Sequence, residues 1–318
     1  MRFPSWATIL VLAIFLALIP SFRPSVYMLS FLSLLLMYAA LATSWNIAGG
    51  YTGYLSFGHV AFFGVGGYTT ALLLIAFKWS PLWTSWLGGL LAALFATLVG
   101  YPCLRLHGPY FSLVTLILAL AVKVIVLNMR WTGGSSGLWI PLPPWDTFTT
   151  RVIFFEAMVF LLAFVLLVAR AIYLGKIGKG LTAIRENEIV AQAIGINTTY
   201  LKMVAFITSA FLTGVIGGLY SYMQNYIHPD MMFDPTISVF MVLMALFGGA
   251  KTWFGPLIGA ATLRVVDEIL TLSIQAEMAR ILFGLILAGV VLFMPDGLSA
   301  LVVQSVSKLK KVAAEKVG

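Results

Sequence analysis

Charged residues are scarce in this 318-residue chain, at 9% of the total, while hydrophobic residues account for 61% and the mean hydropathy is +1.02. A soluble domain carries roughly 25% charged residues. So little polar surface cannot cover a compact body of this size in water, which excludes a soluble globular fold. Most apolar side chains must therefore face lipid or one another inside a bilayer.

Cysteine and histidine are also scarce. The single cysteine, Cys103, excludes an intramolecular disulfide, and the three histidines have no spacing typical of a zinc site. Two sequence motifs are absent as well. The chain has no His-Glu-x-x-His, and its glycine-rich stretch at 175–182 lacks the Ser or Thr that follows Gly-Lys in a phosphate loop. We therefore expect no metal, no cofactor and no enzymatic activity in this chain.

The basic residues do not form a nucleic-acid interface. The formal net charge is +8, but the basic residues are scattered among apolar runs and cluster only at Lys308, Lys310 and Lys311. A nucleic-acid interface needs a basic face with stacking aromatic side chains. The excess instead indicates the orientation of membrane loops.

Apolar runs long enough to cross the hydrocarbon core, about 17–25 residues each, determine the fold class. They are continuously apolar, without the alternation of a β-barrel strand. The predicted spans are residues 6–22, 26–48, 54–77, 83–101, 109–129, 152–173, 201–223, 236–248, 256–273 and 279–294. The sequence thus predicts an all-α polytopic membrane protein of about ten transmembrane or re-entrant helices, with 1–318 as one domain. Residues 236–273 form either two crossings or a re-entrant hairpin.

The distribution of basic residues predicts the orientation. With the amino terminus inside and ten crossings, twelve basic residues fall on the inner side. Five fall on the outer side, namely Arg23, Lys78, Arg130, Arg151 and Arg280. Because cytoplasmic loops carry the excess of Lys and Arg, we expect both termini and the loop at 174–200 to be cytoplasmic.

The loop at 174–200 is rich in charge. If 182–194 is one helix, an apolar arc of roughly 120° holds Val190, Ala183, Ile194, Ala191 and Ile184, and Arg185, Glu188 and Gln192 lie opposite. Such a helix either lies on the inner leaflet or docks into a groove of another protein. The mixed acidic and basic sequence at 185–188 favours the protein groove, because a lipid-binding face is predominantly basic.

Four sequence blocks carry a resemblance that covers most of the chain. They are SWNIAGGYTGYLSFGHVAFFGVGGYTTALL at 44–74, TGGSSGL at 132–138, IRENEIVAQAIGINTTYLKMVAFITSAFLTGVIGGLY at 184–220 and FGGAKTWFGPLIGAA at 247–261. In this order they resemble the permease subunits of branched-chain amino-acid ABC transporters, of the LivM type. The resemblance implies an all-helical, multi-pass permease of a prokaryotic plasma membrane.

The same resemblance implies a function and partners. Such permeases import branched-chain or related apolar amino acids together with a second, LivH-like permease, two ATP-binding subunits and an external solute-binding protein. The sequence leaves open whether the permease pair is homodimeric or heterodimeric. Two alternatives also stay open: a permease for urea or another small amide, and a proton-coupled secondary transporter with Glu156, Asp267 or His59 as the relay.

The resemblance makes 174–200 the loop that couples the permease to the ATP-binding subunits. The residues that it implies for coupling are Arg185, Glu186, Glu188, Ala191 and Gly195. The general importer pattern begins Glu-Ala-Ala, with Gly six positions after the Glu, whereas 189–191 read Ile-Val-Ala here. Glu188 is therefore displaced by one position. Gly195 follows the helix and suits a left-handed C-cap.

The glycine-rich sequence GGYTGYLSFGH at 49–59 interrupts two apolar runs. Two interpretations remain open. It forms either a tight inner turn with close helix packing, or a broken helix whose backbone lines the solute path. The candidate path residues are Asn46, Gly53, Ser56 and His59.

Three charged residues fall within one predicted span. Arg264 lies three positions before Asp267 and four before Glu268, so one helical turn brings the guanidinium near both carboxylates. An unpaired charge costs about 2.5–3.5 kcal/mol at the centre of a span. We expect a mutually satisfied cluster in the bundle or at a subunit interface, with a gate or substrate contact as the alternative.

Overall fold

A computed structural model describes residues 6–141 and 145–273, together with 278, 284 and 297–299. Within these residues the chain is helical apart from two short antiparallel strands, β1 (Leu138–Trp139) and β2 (Tyr226–Ile227). The helices are α1 (Trp6–Ala17), α2 (Val26–Thr52), α3 (His59–Phe77), α4 (Pro81–Cys103), α5 (Pro109–Asn128), α6 (Thr147–Leu174), α7 (Lys176–Glu186), α8 (Glu188–Ala193), α9 (Thr198–Gln224), α10 (Pro229–Met232), α11 (Pro235–Gly248) and α12 (Gly255–Ser273). The predicted all-α class is confirmed.

Seven segments of the described chain are long and apolar enough to cross a membrane: α2, α3, α4, α5, α6, α9 and the combined segment Pro229–Gly248. The predicted number of about ten is therefore not reached among these residues. The first run is divided into α1 and a 3₁₀ turn at Ile19–Phe22, which contains Pro20. Helix α12 carries three charged residues. The predicted run at 279–294 lies outside the described residues, Gly284 excepted.

Helices α2 and α3 differ from their predicted bounds of 26–48 and 54–77. Helix α2 continues through Gly49 and Gly50, and both glycines face side chains of the preceding turn; a Cβ on Gly50 would lie 1.8 Å from Asn46 Oδ1. The helix ends at Gly53, which has φ +80° and donates its N–H to the Gly49 carbonyl at 2.9 Å. The break between the two helices is therefore residues 53–58, called the extended segment below.

Small residues allow three core helices to approach closely. A Cβ on Gly66 of α3 would lie 2.0 Å from the carbonyl oxygen of Gly214 in α9, and one on Gly88 of α4 would lie 2.6 Å from the Gly66 carbonyl oxygen. A Cβ on Gly214 would lie 2.6 Å from Ala92 Cβ. Backbones can therefore pack directly on one another, as in other membrane helix pairs with small residues at the contact.

One end of the bundle joins two polar connections. Strand β1 pairs with β2, with Leu138 opposite Ile227, and Lys123 Nζ lies 2.6 Å from Asp230 Oδ1. From this end α6, of 28 residues, and α9, of 27, run to the loop at 174–200. At 1.5 Å per residue each helix is about 40 Å long, enough to cross the hydrocarbon core.

The loop at 174–200 does not contain the single predicted helix at 182–194. Helix α7 ends at Glu186, and α8 begins at Glu188. Between them Asn187 is extended, with φ −161° and ψ 110°, and its side chain accepts a hydrogen bond from the Val190 N–H at 3.1 Å. Asparagine competes with helix continuation by capping the next helix, and this explains the break.

Candidate functional site

The extended segment is exposed at Gly53 and Leu55 and buried at Ser56 and Gly58, and side chains of neighbouring helices bond to its backbone. Trp45 Nε1 donates to the Ser56 carbonyl at 2.8 Å, Ser112 Oγ donates to the Leu55 carbonyl at 2.6 Å, and the Phe57 N–H donates to Thr115 Oγ1 at 3.2 Å. Ser56 is 1% exposed. Irregular backbone at membrane depth is tolerated where protein or a water-filled cavity surrounds it. The segment is thus a non-helical break whose backbone hydrogen bonds to side chains of neighbouring helices.

His59 lies fully buried where three helices meet. Its Nε2 is 2.7 Å from Ser209 Oγ, and its Nδ1 is 3.1 Å from Ser56 Oγ. Ser209 Oγ donates its single proton to the Ser44 carbonyl at 2.6 Å, so Nε2 carries the imidazole proton. Both ring nitrogens are occupied in this conformation, and the contacts connect α3 to α9 and α2. Ser209 lies about 16 Å along α9, so this network is deep in the bundle.

The second glycine-rich element, 247–256, packs against the end of α2. Asn46 Nδ2 donates to the Thr252 carbonyl at 3.1 Å, and a Cβ on Gly50 would lie 2.8 Å from the Ala250 carbonyl oxygen. Asn46 is fully buried and Gly53 is exposed. Of the four candidate path residues, Ser56 and His59 therefore contact each other. Asn46 contacts Thr252 instead, and Gly53 lies at the end of α2 beside Arg185.

The predicted coupling residues have different surroundings. Arg185 Nη1 donates to the Gly50 carbonyl at 2.9 Å, Ala191 is buried and Glu186 is exposed. Gly195 has φ +88°, as its predicted left-handed cap requires, and the Ile196 N–H donates to the Ala191 carbonyl at 3.0 Å. This is the Schellman arrangement, which fixes the direction in which the chain continues to α9.

Glu188 faces inward, toward a lysine that the sequence analysis did not assign to the site. Lys202 Nζ in α9 lies 2.6 Å from Glu188 Oε1 and 3.3 Å from the Leu104 carbonyl oxygen, and Lys202 is only 4% exposed. The Tyr54 hydroxyl donates to the other Glu188 oxygen, and Lys202 Nζ lies 4.8 Å from the centre of the Tyr54 ring. We call Lys202, Glu188 and Tyr54 the Lys202 cluster. Glu188 precedes Lys202 by fourteen positions, so no local helical spacing reveals the pair.

The protonation of the Lys202 cluster follows from its contacts. Burial alone would raise the pKa of the Glu188 carboxyl, but hydrogen bonds from Lys202 and Tyr54 and the Lys202 charge together hold that pKa below its usual range. Burial and the Glu188 contact raise the pKa of Tyr54, so its hydroxyl keeps its proton and donates. The ion pair thus stabilises the fold above the ordinary carboxyl pKa, and this stabilisation is lost as the pH falls through the lowered one.

Helix α8 and its C-cap residue, Ile194, expose apolar side chains, which together are called the exposed apolar face of α8. Ile189 is 79% exposed, Val190 54% and Ile194 71%. The predicted single apolar arc is therefore wrong: Val190 and Ile194 face outward while Ala191 and Ile184 are buried. The exposed and buried residues differ from the prediction because the helix is interrupted at Asn187, so α8 does not continue the turn of α7. Glu188 then faces Lys202.

A cavity of about 800 Å³ lies between the extended segment, the start of α5 and the loop at 174–200. Its lining includes Thr52, Gly53, Tyr54, His107, Ser112, Arg185, Glu186 and Glu188. Tyr54 and Glu188 of the Lys202 cluster, together with Arg185, therefore border open space next to the break in the helix.

The charged residues of α12 contact one another as their spacing predicts. Arg264 forms ion pairs with Asp267 and, through Nη2 at 3.4 Å, with Glu268. The Tyr27 hydroxyl donates to Glu268, and the Arg264 guanidinium lies 5.5 Å from the centre of the Tyr38 ring. The cluster therefore connects α12 to α2.

Comparison with known sequences identifies relatives along most of the chain. The family described as "Branched-chain amino acid transport system / permease component" matches residues 27–291. LivM, a permease protein of the high-affinity branched-chain amino acid transport system of Salmonella typhimurium, is 30% identical over 291 residues, which cover 83% of this chain and 68% of LivM. LivM of Escherichia coli is 30% identical over 294 residues, covering 84% and 68%.

The second permease type of the same transport system also matches. LivH of Salmonella typhimurium is 24% identical over 281 residues, which cover 82% of this chain and 90% of LivH. No solved structure matches. The relatives are transport permeases rather than enzymes, and ATP hydrolysis lies in separate subunits of such transporters. The matched family, the match to LivM and the seven apolar helices agree: this chain belongs to the branched-chain amino acid transport permease family and is a multi-pass permease subunit.

Proposed function

We propose that this chain forms half of a permease pair that imports branched-chain amino acids across a prokaryotic plasma membrane. Two separate ATP-binding subunits supply the energy, and an external solute-binding protein delivers the solute. The observation that carries the proposal is the exposed apolar face of α8, on a charged loop between two spans, because a permease driven by a partner needs such a surface outside the bilayer. The similarity to LivM supports the solute class.

The partner at α8 is an ATP-binding subunit in this proposal. Ile189, Val190 and Ile194 supply apolar anchors, and the exposed Glu186 lies beside them at the end of α7. A helix that lies on an anionic leaflet carries a predominantly basic polar face, whereas α8 contains no basic residue and follows the exposed Glu186. The Gly195 cap then directs the chain from this interface into α9.

Both termini and the loop at 174–200 are cytoplasmic in this proposal. The twelve-to-five distribution of basic residues supports the orientation. The other end of the bundle then faces the solute-binding protein, with the connection at 132–150 and the turn at 224–235. Helices α6 and α9 each separate these polar connections from the loop at 174–200.

The solute path in this proposal follows the extended segment and Asn46, Gly53, Ser56 and His59. In this proposal the buried hydrogen bonds of Ser56 and His59 keep the path closed until the segment moves. Opening requires the extended segment to move, which the left-handed Gly53 at its start permits. The Arg264, Asp267 and Glu268 cluster is structural in this proposal, because Arg264 forms ion pairs with both carboxylates.

The most informative experiment identifies the solute. The chain is purified with its co-expressed partners, and mass spectrometry identifies the small molecule released from the accompanying solute-binding protein. We expect leucine, isoleucine or valine. If urea or another small amide is found instead, the proposed solute class is wrong, but the chain still belongs to the permease family. The absence of any ATP-binding subunit from the purified complex would contradict the proposed energy source.

A further inference from the structure

The contacts of the Lys202 cluster join four separate elements of the chain. Lys202 belongs to α9, Glu188 to α8 and Tyr54 to the extended segment, and the Leu104 carbonyl follows α4. Its lysine has 4% of its surface exposed. A buried ammonium without these partners would be costly, so the contacts constrain one another.

Arg185 makes a second connection from the same loop to the same break. Its Nη1 donates to the Gly50 carbonyl at 2.9 Å, and its Cγ lies 3.2 Å from the position that a Cβ on Gly53 would occupy. The loop at 174–200 therefore contacts the chain on both sides of Gly53. Arg185 bonds to Gly50 before it, and Glu188 bonds to Tyr54 after it. Between these contacts, Gly53 has φ +80°.

The segment after Tyr54 leads directly to the buried polar network. Ser56 follows two residues later and is bonded to His59 and Trp45. A displacement of α8 that keeps Glu188 bonded to Tyr54 would thus move the backbone that Ser56 and His59 hold in place. The cavity of about 800 Å³ bordered by Gly53, Tyr54 and Glu188 leaves space for such a movement.

We infer that Lys202, Glu188 and Tyr54 are positioning residues that transmit the movement of α8 to the extended segment. Glu188 then acts inside the permease, by holding Tyr54, and the outward face of α8 carries the partner contact. This inference rests on the proposed function, since it takes an ATP-binding subunit as the partner that moves α8. It assigns a role to Lys202 and Tyr54, which the sequence motifs leave without one.

The first test measures the ratio of leucine imported to ATP hydrolysed in proteoliposomes that hold the complete transporter. In Lys202→Met the ATP-binding subunits should still bind and hydrolyse ATP, while the ratio should fall by about tenfold. Tyr54→Phe should lower the ratio in the same direction. The control is Lys179→Met, an exposed basic residue of α7, which should keep the original ratio. An unchanged ratio in both Lys202→Met and Tyr54→Phe would overturn the inference.

A second test separates transmission from folding. The variant Tyr54→Cys/Glu188→Cys/Lys202→Met, on a Cys103→Ser background, removes the natural contacts and the buried charge together. A short bifunctional thiol reagent then joins positions 54 and 188. We expect a low ratio before cross-linking and at least a partial recovery after it, which a merely unfolded variant cannot show. A ratio that cross-linking leaves unchanged or lowers would overturn the inference.

These results are distinguishable from a failure of the proposed function. Import of leucine by the unmodified complex, dependent on internal ATP, establishes that function before any variant is compared. Lack of such import would contradict the proposed function itself. Normal coupling in the variants would contradict only the role of the Lys202 cluster.

Discussion

At the scale of single residues, Ser209→Ala tests the buried hydrogen bonds around His59, because it removes a hydroxyl with little change in volume. The Ser209 hydroxyl accepts from His59 Nε2 and donates to the Ser44 carbonyl. Ser209→Ala should leave a buried N–H unsatisfied and lower stability by about 1–3 kcal/mol. The measurement is the thermal unfolding midpoint of the purified permease in detergent.

The matched control for Ser209→Ala is Thr97→Ala. Thr97 is exposed on α4, and its hydroxyl bonds only to the Ala93 carbonyl of its own helix. Its removal should leave the midpoint nearly unchanged. Equal midpoints for the two variants would show that the His59 network does not stabilise the bundle.

Gly53 offers a test of the proposed solute path. Gly53→Leu should abolish uptake while the complex still assembles, because the side chain would meet Arg185 and obstruct the start of the extended segment. The matched control is Gly53→Ala, which imposes the same strain at φ +80° but lacks the rest of the leucine side chain and should retain more uptake. Uptake and assembly are measured in the same cells. Normal uptake by Gly53→Leu would remove this segment from the path.

The residue scale also shows which contacts a sequence can predict. Arg264 meets Asp267 and Glu268 because a helix brings positions three and four apart together. The pairs Lys202–Glu188 and Lys123–Asp230 were not predictable in this way, since tertiary packing alone brings their helices together. Gly195 was predictable because a left-handed cap is a local requirement.

At the scale of elements, the sharpest prediction concerns the exposed apolar face of α8 as the surface that binds the ATP-binding subunits. Introducing charge into its exposed apolar face, as in Ile189→Glu or Ile194→Glu, should weaken binding of the ATP-binding subunits by about 1–3 kcal/mol per substitution. The affinity is measured with the permease in nanodiscs. The control is Thr182→Glu, which adds the same charge at an exposed position of α7.

The result that would contradict the docking face is specific. If the ATP-binding subunits bind all three variants equally, α8 does not contact them. If, instead, the Ile variants lose attachment of the loop to anionic vesicles while subunit binding is normal, α8 lies on the membrane.

Element boundaries were less predictable than element types. Apolar runs located all seven spanning segments, but the glycines at 49 and 50 suggested an end that the structure places at Thr52. Hydropathy does not record that Trp45 and Asn46 occupy the space beside these glycines. Likewise, periodicity over 182–194 could not reveal that Asn187 would cap a new helix rather than continue the old one.

At the scale of the whole molecule, the distribution of basic residues predicts the orientation of the chain in the membrane, and thiol labelling can test it. On a Cys103→Ser background, Glu186→Cys should be protected from an impermeant thiol reagent in intact cells, and Trp139→Cys should react. Both positions are exposed in this chain, and the labelled cells lack the partner subunits, so accessibility differs only by the side of the membrane. After permeabilisation both should react. Labelling of Glu186→Cys in intact cells would reverse the proposed topology.

The multi-pass character and the family were predictable from the whole sequence, because hydropathy and four motif blocks extend over most of the chain. The way in which the loop at 174–200 connects to the bundle was not. That connection depends on Arg185, Glu188 and Lys202 meeting residues far away in sequence. It is a property of the assembled bundle rather than of any single segment.

The central claim is that this permease moves branched-chain amino acids only with ATP hydrolysed by its partners. Its most direct test is leucine uptake into proteoliposomes that contain this chain, its second permease and the two ATP-binding subunits, with the solute-binding protein outside. We predict uptake that requires internal ATP and stops when either the ATP-binding subunits or the solute-binding protein is omitted. Leucine uptake driven by a proton gradient in the absence of the ATP-binding subunits would contradict the claim.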